Sequence, residues 1–545
     1  MPILHSPGSA TTIPAALRRA AVSWPDDEAL VGDGVRLTWP ELAEQMTRMS
    51  KALLASGIQP GDRIALWAPN TAEWVITALG AYAAGAVLLP INTRFKGEEA
   101  GYVLRTAGAR MLFTVTDFLD MDYVHLLRDQ PGFDALEEIV VLSGPVPSGT
   151  VGWPAFLDRG AGSTEAAANA REATIAPEQT SDIIFTSGTT GTPKGVMLTH
   201  GASTRTYASW SAIVGLRHRD RYLIVYPFFH CAGLKSGILA CILTGAVIIP
   251  SLTFDVRAVL GQVRAERITM LPGPPALFQT ILNADLTGLD TTSLRLAVTG
   301  AAVVPVDLVR AMREKLGFES VVTGYGLTET TGTITMCRHD DDPEVIATTS
   351  GRPIPGMEIV LVDRAGQAVS TGTPGEVLAR GFAVMRGYFD APEATTAALT
   401  PDGWLRTGDV GVLDDAGNLR ITDRIKDMFI VGGFNAYPAE IENMLLKHPA
   451  IAQAAVVGAP DERLGEVGFA FIVPRRAAAL TSIEVMAWSR TVMANFKVPR
   501  YVELLDALPL NSSGKVAKPE LRDRARAAVR TADTRKPGSE QCGTR

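Results

Sequence analysis

Residues 183–200 read IIFTSGTTGTPKGVMLTH, and this stretch decides how the rest of the chain is read. An apolar strand pattern runs into Thr186, Ser187, Gly188, Thr189, Thr190, Gly191 and Thr192. These seven are only Ser, Thr and Gly, and Pro193, Lys194 and Gly195 follow before the apolar GVML. Such a loop offers backbone N–H groups, hydroxyls and one cation to a polyphosphate. Its glycines let the backbone approach phosphate oxygens and adopt positive φ. It is not a Walker A loop, because Pro193 precedes the lysine and no G-x-x-x-x-G-K-[ST] can be aligned. A Ser/Gly linker is the bland alternative, but a linker does not usually sit between a buried strand and an apolar segment with a lone lysine.

Outward from this loop, strand and helix patterns alternate. Arg63, within DRIALWAP, opens a strand, TAEWVITALGAYAAG from Thr71 is a helix, and AVLLPIN from Ala86 is a second strand. ELAEQMTRMSKALLASG is a helix ending on Gly57, a C-terminal cap. The same grammar recurs in DRYLIVYP, GAVIIP, RITMLPG, LRLAVTGA and SVVTGYG, and it predicts parallel sheets with right-handed crossovers. Residues 351–423 are rich in Gly, Asp, Pro and short strands (MEIVLVD, GEVLAR, NLRITD), which indicates a β-rich subdomain. Beyond them YPAEIENMLLKHP reads as a helix, AIAQAAVVGAP as a strand and TSIEVMAWSRTVMANF as a helix. The expected fold is α/β. A large N-terminal domain (residues 1–425) carries mixed and parallel sheets, and a small α+β domain (426–525) follows. Residues beyond Leu521 are expected to be a frayed helix end, with 526–545 a disordered tail.

Composition narrows the class. The 545 residues are 46% hydrophobic and 20% charged, enough for sizeable cores, which excludes a wholly disordered chain. The net charge of −7 argues against a protein that coats itself in nucleic acid. Cys231, Cys241, Cys337 and Cys542 have no C-x-x-C pair, so they read as free thiols of a reducing, cytoplasmic compartment. The greasiest run, Gly237 to Pro250, is too short and too interrupted to span a membrane and reads as a helix followed by a buried strand.

TSGTTGTPKG resembles the signature of the acyl-adenylate-forming superfamily, which includes acyl-CoA synthetases, adenylation domains and luciferases. Three further blocks resemble that family in its order. They are TGYGLTETTG (Thr323–Gly332), the forty residues GWLRTGD…YPAEIE (Gly403–Glu442) and NSSGKVAKPELR (Asn511–Arg522). The resemblance implies that a carboxylate attacks the α-phosphate of ATP, so that positioning and charge neutralisation carry catalysis. It implies that Thr186 to Lys194 hold the β- and γ-phosphates, with Glu329 and Thr186 at Mg²⁺. Tyr325, flanked by Gly324 and Gly326, lies against adenine, Thr328 reaches the α-phosphate, and Gly300, Ala301 and Ala302 form a turn beside adenine and the acyl group. Asp409 and Arg424 take the ribose hydroxyls. Lys515 reaches the carboxylate and α-phosphate, and Lys426 is the hinge of the small domain.

The branch implied is the acyl-CoA ligases, with coenzyme A as co-substrate. Gly432 and Gly433 match the loop lining the pantetheine tunnel, while Phe496 and Lys497 resemble the surface that receives the CoA nucleotide. Val498 stands where some relatives carry a basic residue. Little chain follows Leu521, which disfavours a fused carrier domain. A catalytically dead relative is disfavoured because Lys194, Glu329, Asp409, Arg424 and Lys515 are all present. Within the ligases, segments such as PFFHCAGLKSGILACILTGAVIIPSLTFD resemble the actinobacterial CoA ligases of steroid catabolism, which act on a methylhexahydroindanedione propionate. A medium-chain, alicyclic or aryl acid is the other substrate reading. Residues Phe228–Gly237 would wall the acyl pocket, with Met336 nearby, and His230 would gate or pack it. Cys231, Ala232 and Gly233 are small and would leave width. Lys235 is a bare cation in an apolar run, costly unless paired, and is assigned either a substrate oxygen or a surface salt bridge. The partners expected are a small carboxylic acid and, compatible with the chain, a second copy as a homodimer; neither nucleic acid nor an integral membrane contact is expected.

Overall fold

The computed structural model describes residues 11–533 except 33, 129, 187–192, 254, 284–289, 301–303, 425–426, 432–433, 462–463, 476–478, 494 and 512–514, with only the backbone given at 276, 423–424, 430, 434–435, 440 and 531–533. By internal contacts the chain divides into Met1–Val360, Leu378–Thr407 and Ala416–Leu419 on one hand, and Leu361–Val377, Gly408–Asp415 and Arg420–Arg545 on the other.

The first unit is built around an eight-stranded sheet. Its order is Gly387–Tyr388, Lys194–Thr199, Thr180–Thr186, Val87–Pro90, Arg63–Trp67, Ala109–Val115, Glu138–Ser143 and Val151–Gly152. From Thr180–Thr186 onward the pairs are parallel, while Lys194–Thr199 and Gly387–Tyr388 close the edge antiparallel. The central strands are continuous apolar runs because helices cover both faces of a parallel sheet; Ile64 to Trp67 and Leu88 to Leu89 are fully buried. Helix Trp39–Ala55 starts at a reciprocal cap between Thr38 and Glu41, and Gly57 at φ +79° follows its end. Helix Ala72–Ala83 packs on it at Gly80, where an added Cβ would lie 2.2 Å from Met49 Cγ.

A second sheet orders Arg221–Ile224, Val247–Pro250, Glu28–Gly32 and Val35–Thr38. The expected strand RITMLPG contributes only Met270, bridged to Tyr222 and Leu296, because Pro272, Pro274 and Pro275 remove ladder donors. A four-stranded sheet orders Met357–Val362, Gly375–Gly381, Leu405–Leu413 and Leu419–Arg424.

The second unit holds a sheet in which Gly465–Pro474 pairs antiparallel with Ile451–Asp461 and with Phe429–Val431, and parallel with Tyr501–Leu504. Helices Pro438–Leu445, Ser482–Val492 and Lys518–Asp533 belong to this unit. The last corrects the expected frayed end after Leu521. Leu521, Ala525 and Val529 recur every fourth residue, and all three are buried against Ala455, Val457 and Phe471. The fold is α/β with a large N-terminal part and a small C-terminal part, as expected. No helix among the described residues is long and apolar enough to cross a membrane. Cys231, Cys241 and Cys337 are buried free thiols.

Candidate active site

The strands that flank the Ser/Thr/Gly loop pair antiparallel in register from Asp182 opposite Leu198 to Thr186 opposite Lys194. Ser187 to Gly191 lie outside the described residues. Gly195 is required there, since a Cβ would stand 2.7 Å from Ile183 Cγ2 and 3.0 Å from the Phe185 ring. The edge strand Gly387–Tyr388 brings in a residue the sequence reading missed. Tyr388 pairs with Val196, and its ring lies 5.3 Å from the Lys194 ammonium. Its hydroxyl donates to Glu329 Oε1 at 2.9 Å, while Met385 N–H donates to the Glu329 carbonyl at 2.8 Å. Burial first, and the Glu329 charge second, push the Tyr388 phenol above its ordinary range, so it remains a donor. A cation, a phenol and a carboxylate thus converge on the loop's end. Nothing local in RGYF marks Tyr388, because its partner Glu329 is 59 residues away.

The segment Thr323–Gly332 forms a short strand, Gly324–Tyr325, paired with Thr335–Met336, and then a tight turn at Thr328–Thr330. Gly326 lies so close to the returning chain that a Cβ would stand 2.5 Å from the Gly332 carbonyl. Gly332, at φ +96°, admits no side chain either: a Cβ would meet Tyr207 Oη at 2.6 Å and Cys231 Cβ at 3.0 Å. Tyr207 donates to the Thr331 carbonyl at 3.0 Å, which ties this segment to helix His200–Val214. Tyr325, Thr328 and Glu329 remain partly accessible. Gly300, at φ +155°, comes near Gly324, whose carbonyl is the nearest atom to its would-be Cβ at 3.9 Å. Ala301 and Ala302 lie outside the described residues.

His230 is exposed and accepts from Ala232 N–H at 3.3 Å through Nδ1, capping the first turn of Cys231–Gly233. Cys231 is 2% exposed, and burial pushes its thiol up to about 12, so it is a packing residue rather than a nucleophile. Met336 is 1% exposed within the main apolar core. Gly233 does not leave width as expected: a Cβ would stand 2.2 Å from the Pro227 carbonyl, so backbone already fills that space. The assignment of Lys235 is corrected too. Its side chain is 0% exposed and forms an ion pair with Asp182, also 0% exposed, so it is neither a surface salt bridge nor directed to a substrate oxygen. A charge inside an apolar helix must find a counter-charge, and Asp182 on the strand Thr180–Thr186 supplies it.

In the second unit, Asp409 is 2% exposed. Of Arg424 only the backbone is described, on strand Leu419–Arg424, and Lys426, Gly432 and Gly433 lie outside the described residues. Lys515 is exposed on a turn held by its neighbour: Lys515 N–H donates to Asn511 Oδ1 at 2.9 Å, and Asn511 N–H donates to the Lys515 carbonyl at 2.7 Å. Lys518 pairs with Glu442 at 2.9 Å and Arg522 pairs with Asp427, so the helix after Lys515 is tied to the chain on either side of residues 432–433. Lys497 lies with its ammonium 5.4 Å from the Phe496 ring. Among the described residues no group of three or more His, Cys, Asp or Glu is placed to hold a metal. A single carboxylate, Glu329, fits a Mg²⁺ held mainly by substrate phosphates.

The model of a family described as AMP-binding enzyme matches residues 17–389, and that of the AMP-binding enzyme C-terminal domain matches residues 440–515. The chain is 48% identical over 513 residues to the (7a-methyl-1,5-dioxo-octahydro-1H-inden-4-yl)propanoyl:CoA ligase of Mycobacterium tuberculosis, a match covering 94% of this chain and 98% of the relative. It is 45% identical over 520 residues to the ligase of the same name from Rhodococcus jostii, with 94% and 98% covered. Among solved structures, an anthranilate CoA ligase in complex with anthranoyl-AMP matches at TM-score 0.84 and 26% identity, covering 97% of this chain and 99% of that one. A phosphate-side strand pair, a glycine-dependent turn carrying Glu329, and these full-length likenesses lead to one conclusion: the chain belongs to the AMP-binding enzyme family and is one of its acyl-CoA synthetases.

Proposed function

We propose that this ligase activates a bulky, ring-bearing propionate of the kind left by steroid degradation, in two steps. In the first, a carboxylate oxygen of the acid attacks the α-phosphorus of ATP and pyrophosphate leaves. In the second, the sulfur of CoA attacks the acyl carbon, AMP leaves and the thiol proton passes to solvent. The observation that carries the substrate is the pair of relatives, 48% and 45% identical over 94% of the chain, that are named for that acyl group.

The family resemblance supports the roles, and the contacts among Lys194, Tyr388 and Glu329 agree with it. Lys194 and the loop from Thr186 neutralise the outer phosphates, and Tyr388 holds both Lys194 and Glu329 in place. Mg²⁺, when bound at Glu329 and Thr186, offsets phosphate charge. Tyr325 and Gly324 to Gly326 receive adenine, Thr328 the α-phosphate, and Asp409 with Arg424 the ribose. Lys515 is assigned to the meeting point of carboxylate and α-phosphate, where a mobile compact cation suits a step that precedes thioester formation. Lys426 is assigned to the pivot between the two half-reactions, and Gly432, Gly433, Phe496 and Lys497 to CoA. The cytoplasm, where ATP and CoA are both supplied, is the compartment this reading favours.

The test is a panel of carboxylic acids with ATP, Mg²⁺ and CoA, with AMP and acyl-CoA read by mass spectrometry. The bicyclic propionate is expected to exceed octanoate in kcat/KM by at least about tenfold, roughly 1.4 kcal/mol of transition-state preference. A preference for straight-chain acids overturns the substrate while leaving the ligase chemistry intact.

A further inference from the structure

The catalytic account leaves unused a fully buried charged pair, Asp182 and Lys235. Asp182 sits within the strand Thr180–Thr186 with no exposure, and three side chains converge on it. Lys235 pairs with its Oδ2, Tyr82 donates to its Oδ1, and Ser181 Oγ donates to Oδ2. Lys235 also lies with its ammonium 5.6 Å from the Tyr82 ring. A lysine in GLKSGILACILTG is the one charge in an apolar run, and a well-packed apolar pair is often no less stable than a buried ion pair. Position, rather than stability, is what such a pair can supply.

The geometry says what it positions. Lys235 is the second residue of a π-helical turn, Leu234–Leu239, which continues the short helix Cys231–Gly233. Wide turns of this kind sit in helices mostly where function requires an irregular path. Asp182, Ile184 and Thr186 alternate along the strand and so share one face. Four residues before Lys235, Cys231 belongs to the same apolar cluster as Ile184. The segment thus meets that face at Asp182 through Lys235 and shares an apolar cluster with Ile184 through Cys231, with Thr186, the first residue of the phosphate loop, next along the strand. At its other side Cys231 abuts Gly332 of the Glu329 turn. The strand is held on both edges by backbone ladders, to Val87–Pro90 and to Lys194–Thr199, whatever residue stands at 182. The wall is a helix with no ladder, and Lys235 is its charged tie to that strand.

We propose that Lys235 and Asp182 are positioning residues for the acid: their ion pair sets where the wall Phe228–Gly237 stands against the phosphate-loop strand, and hence how tightly the acyl group is held, while ATP binding is left to the ladder-held strand. This rests on the reading above that the segment walls the acyl site.

The test compares the volume-conserving double variant Asp182→Asn/Lys235→Met with wild type, using whichever acid of the panel wild type turns over best. With melting temperature checked first, the expected result is an acid KM raised at least tenfold, an ATP KM within twofold and kcat within threefold. An unchanged acid KM, or acid and ATP KM rising together, overturns the proposal. If the double variant does not fold, Tyr82→Phe/Ser181→Ala removes two donors to Asp182 while keeping the ion pair, and its acid KM is expected to stay within twofold; a tenfold rise there shows that the pair does not set the wall. Because the acid is chosen by turnover, failure of the bicyclic acid in the panel sinks the substrate reading without deciding this one.

Discussion

Lys515 and Lys235 are the same residue type in opposite settings. Lys515 stands exposed on a turn pinned by Asn511, whereas Lys235 is 0% exposed and paired inside the π-helical turn Leu234–Leu239. An exposed ammonium costs little to hold and can be brought to a reacting phosphate. A buried one is costly to hold unless paired, and once paired it no longer serves chemistry. Removing the first should cost rate without stability, and removing the second should cost stability first.

The comparison breaks most visibly at Lys235. Lys235→Met alone leaves Asp182 buried without its counter-charge, so urea denaturation should show a loss of roughly 3–5 kcal/mol. A loss under 1 kcal/mol would mean that Asp182 finds another partner. Lys515→Ala should lower acyl-adenylate formation by about 10²–10³-fold, the usual cost of removing one donor from a developing charge. Its melting temperature should not move, and the reaction of supplied acyl-AMP with CoA should suffer far less; equal loss in both half-reactions removes Lys515 from the first step.

Tyr388 lies between these extremes, half-buried and bonded to a charged group. Tyr388→Phe keeps the ring beside Lys194 but deletes the hydrogen bond to Glu329, worth about 2 kcal/mol when one partner is charged. Adenylation should fall about thirtyfold, and half-saturation by Mg²⁺, followed as Mn²⁺ binding by electron spin resonance, should move to higher concentration. A Mn²⁺ affinity equal to wild type would leave Tyr388 a packing residue.

The smallest effect sharpens the buried side. His200 is 1% exposed, packs edge-on against Tyr82, and accepts from Ile13 N–H at 3.4 Å. Burial lowers its pKa to about 3, with Asp182 opposing and Lys235 adding to the shift. The unfolded imidazole binds a proton below about pH 6.5 while the folded one stays neutral, so stability is lost as pH falls from that point toward 3. Between pH 7 and 5.5 this amounts to about 1 kcal/mol. His200→Gln should flatten the stability profile by that amount; an unchanged profile assigns the acid sensitivity elsewhere.

The residues themselves show which parts were legible. Ile64 to Trp67 and Leu88 to Leu89 announce buried parallel strands because uninterrupted apolar runs have few other uses, and Thr38 with Glu41 announces a helix start because both partners lie within one turn. Lys194, Glu329 and Lys515 stand in local motifs, so the family resemblance was readable in sequence order. Met270 fell short of a strand because its prolines remove donors, a local fact that the apolar pattern outweighed on reading.

The sequence alone therefore settled the fold class and the family, since each depends on periodicity or on neighbours along the chain. Only the tertiary structure decided that Lys235 belongs to Asp182, 53 residues away, that Tyr388 belongs to Glu329, 59 residues away, and that Gly233 makes room for the Pro227 backbone rather than for a ligand. Charge pairing, hydrogen bonding and excluded volume act over a few ångströms of space, and sequence separation carries no measure of that distance.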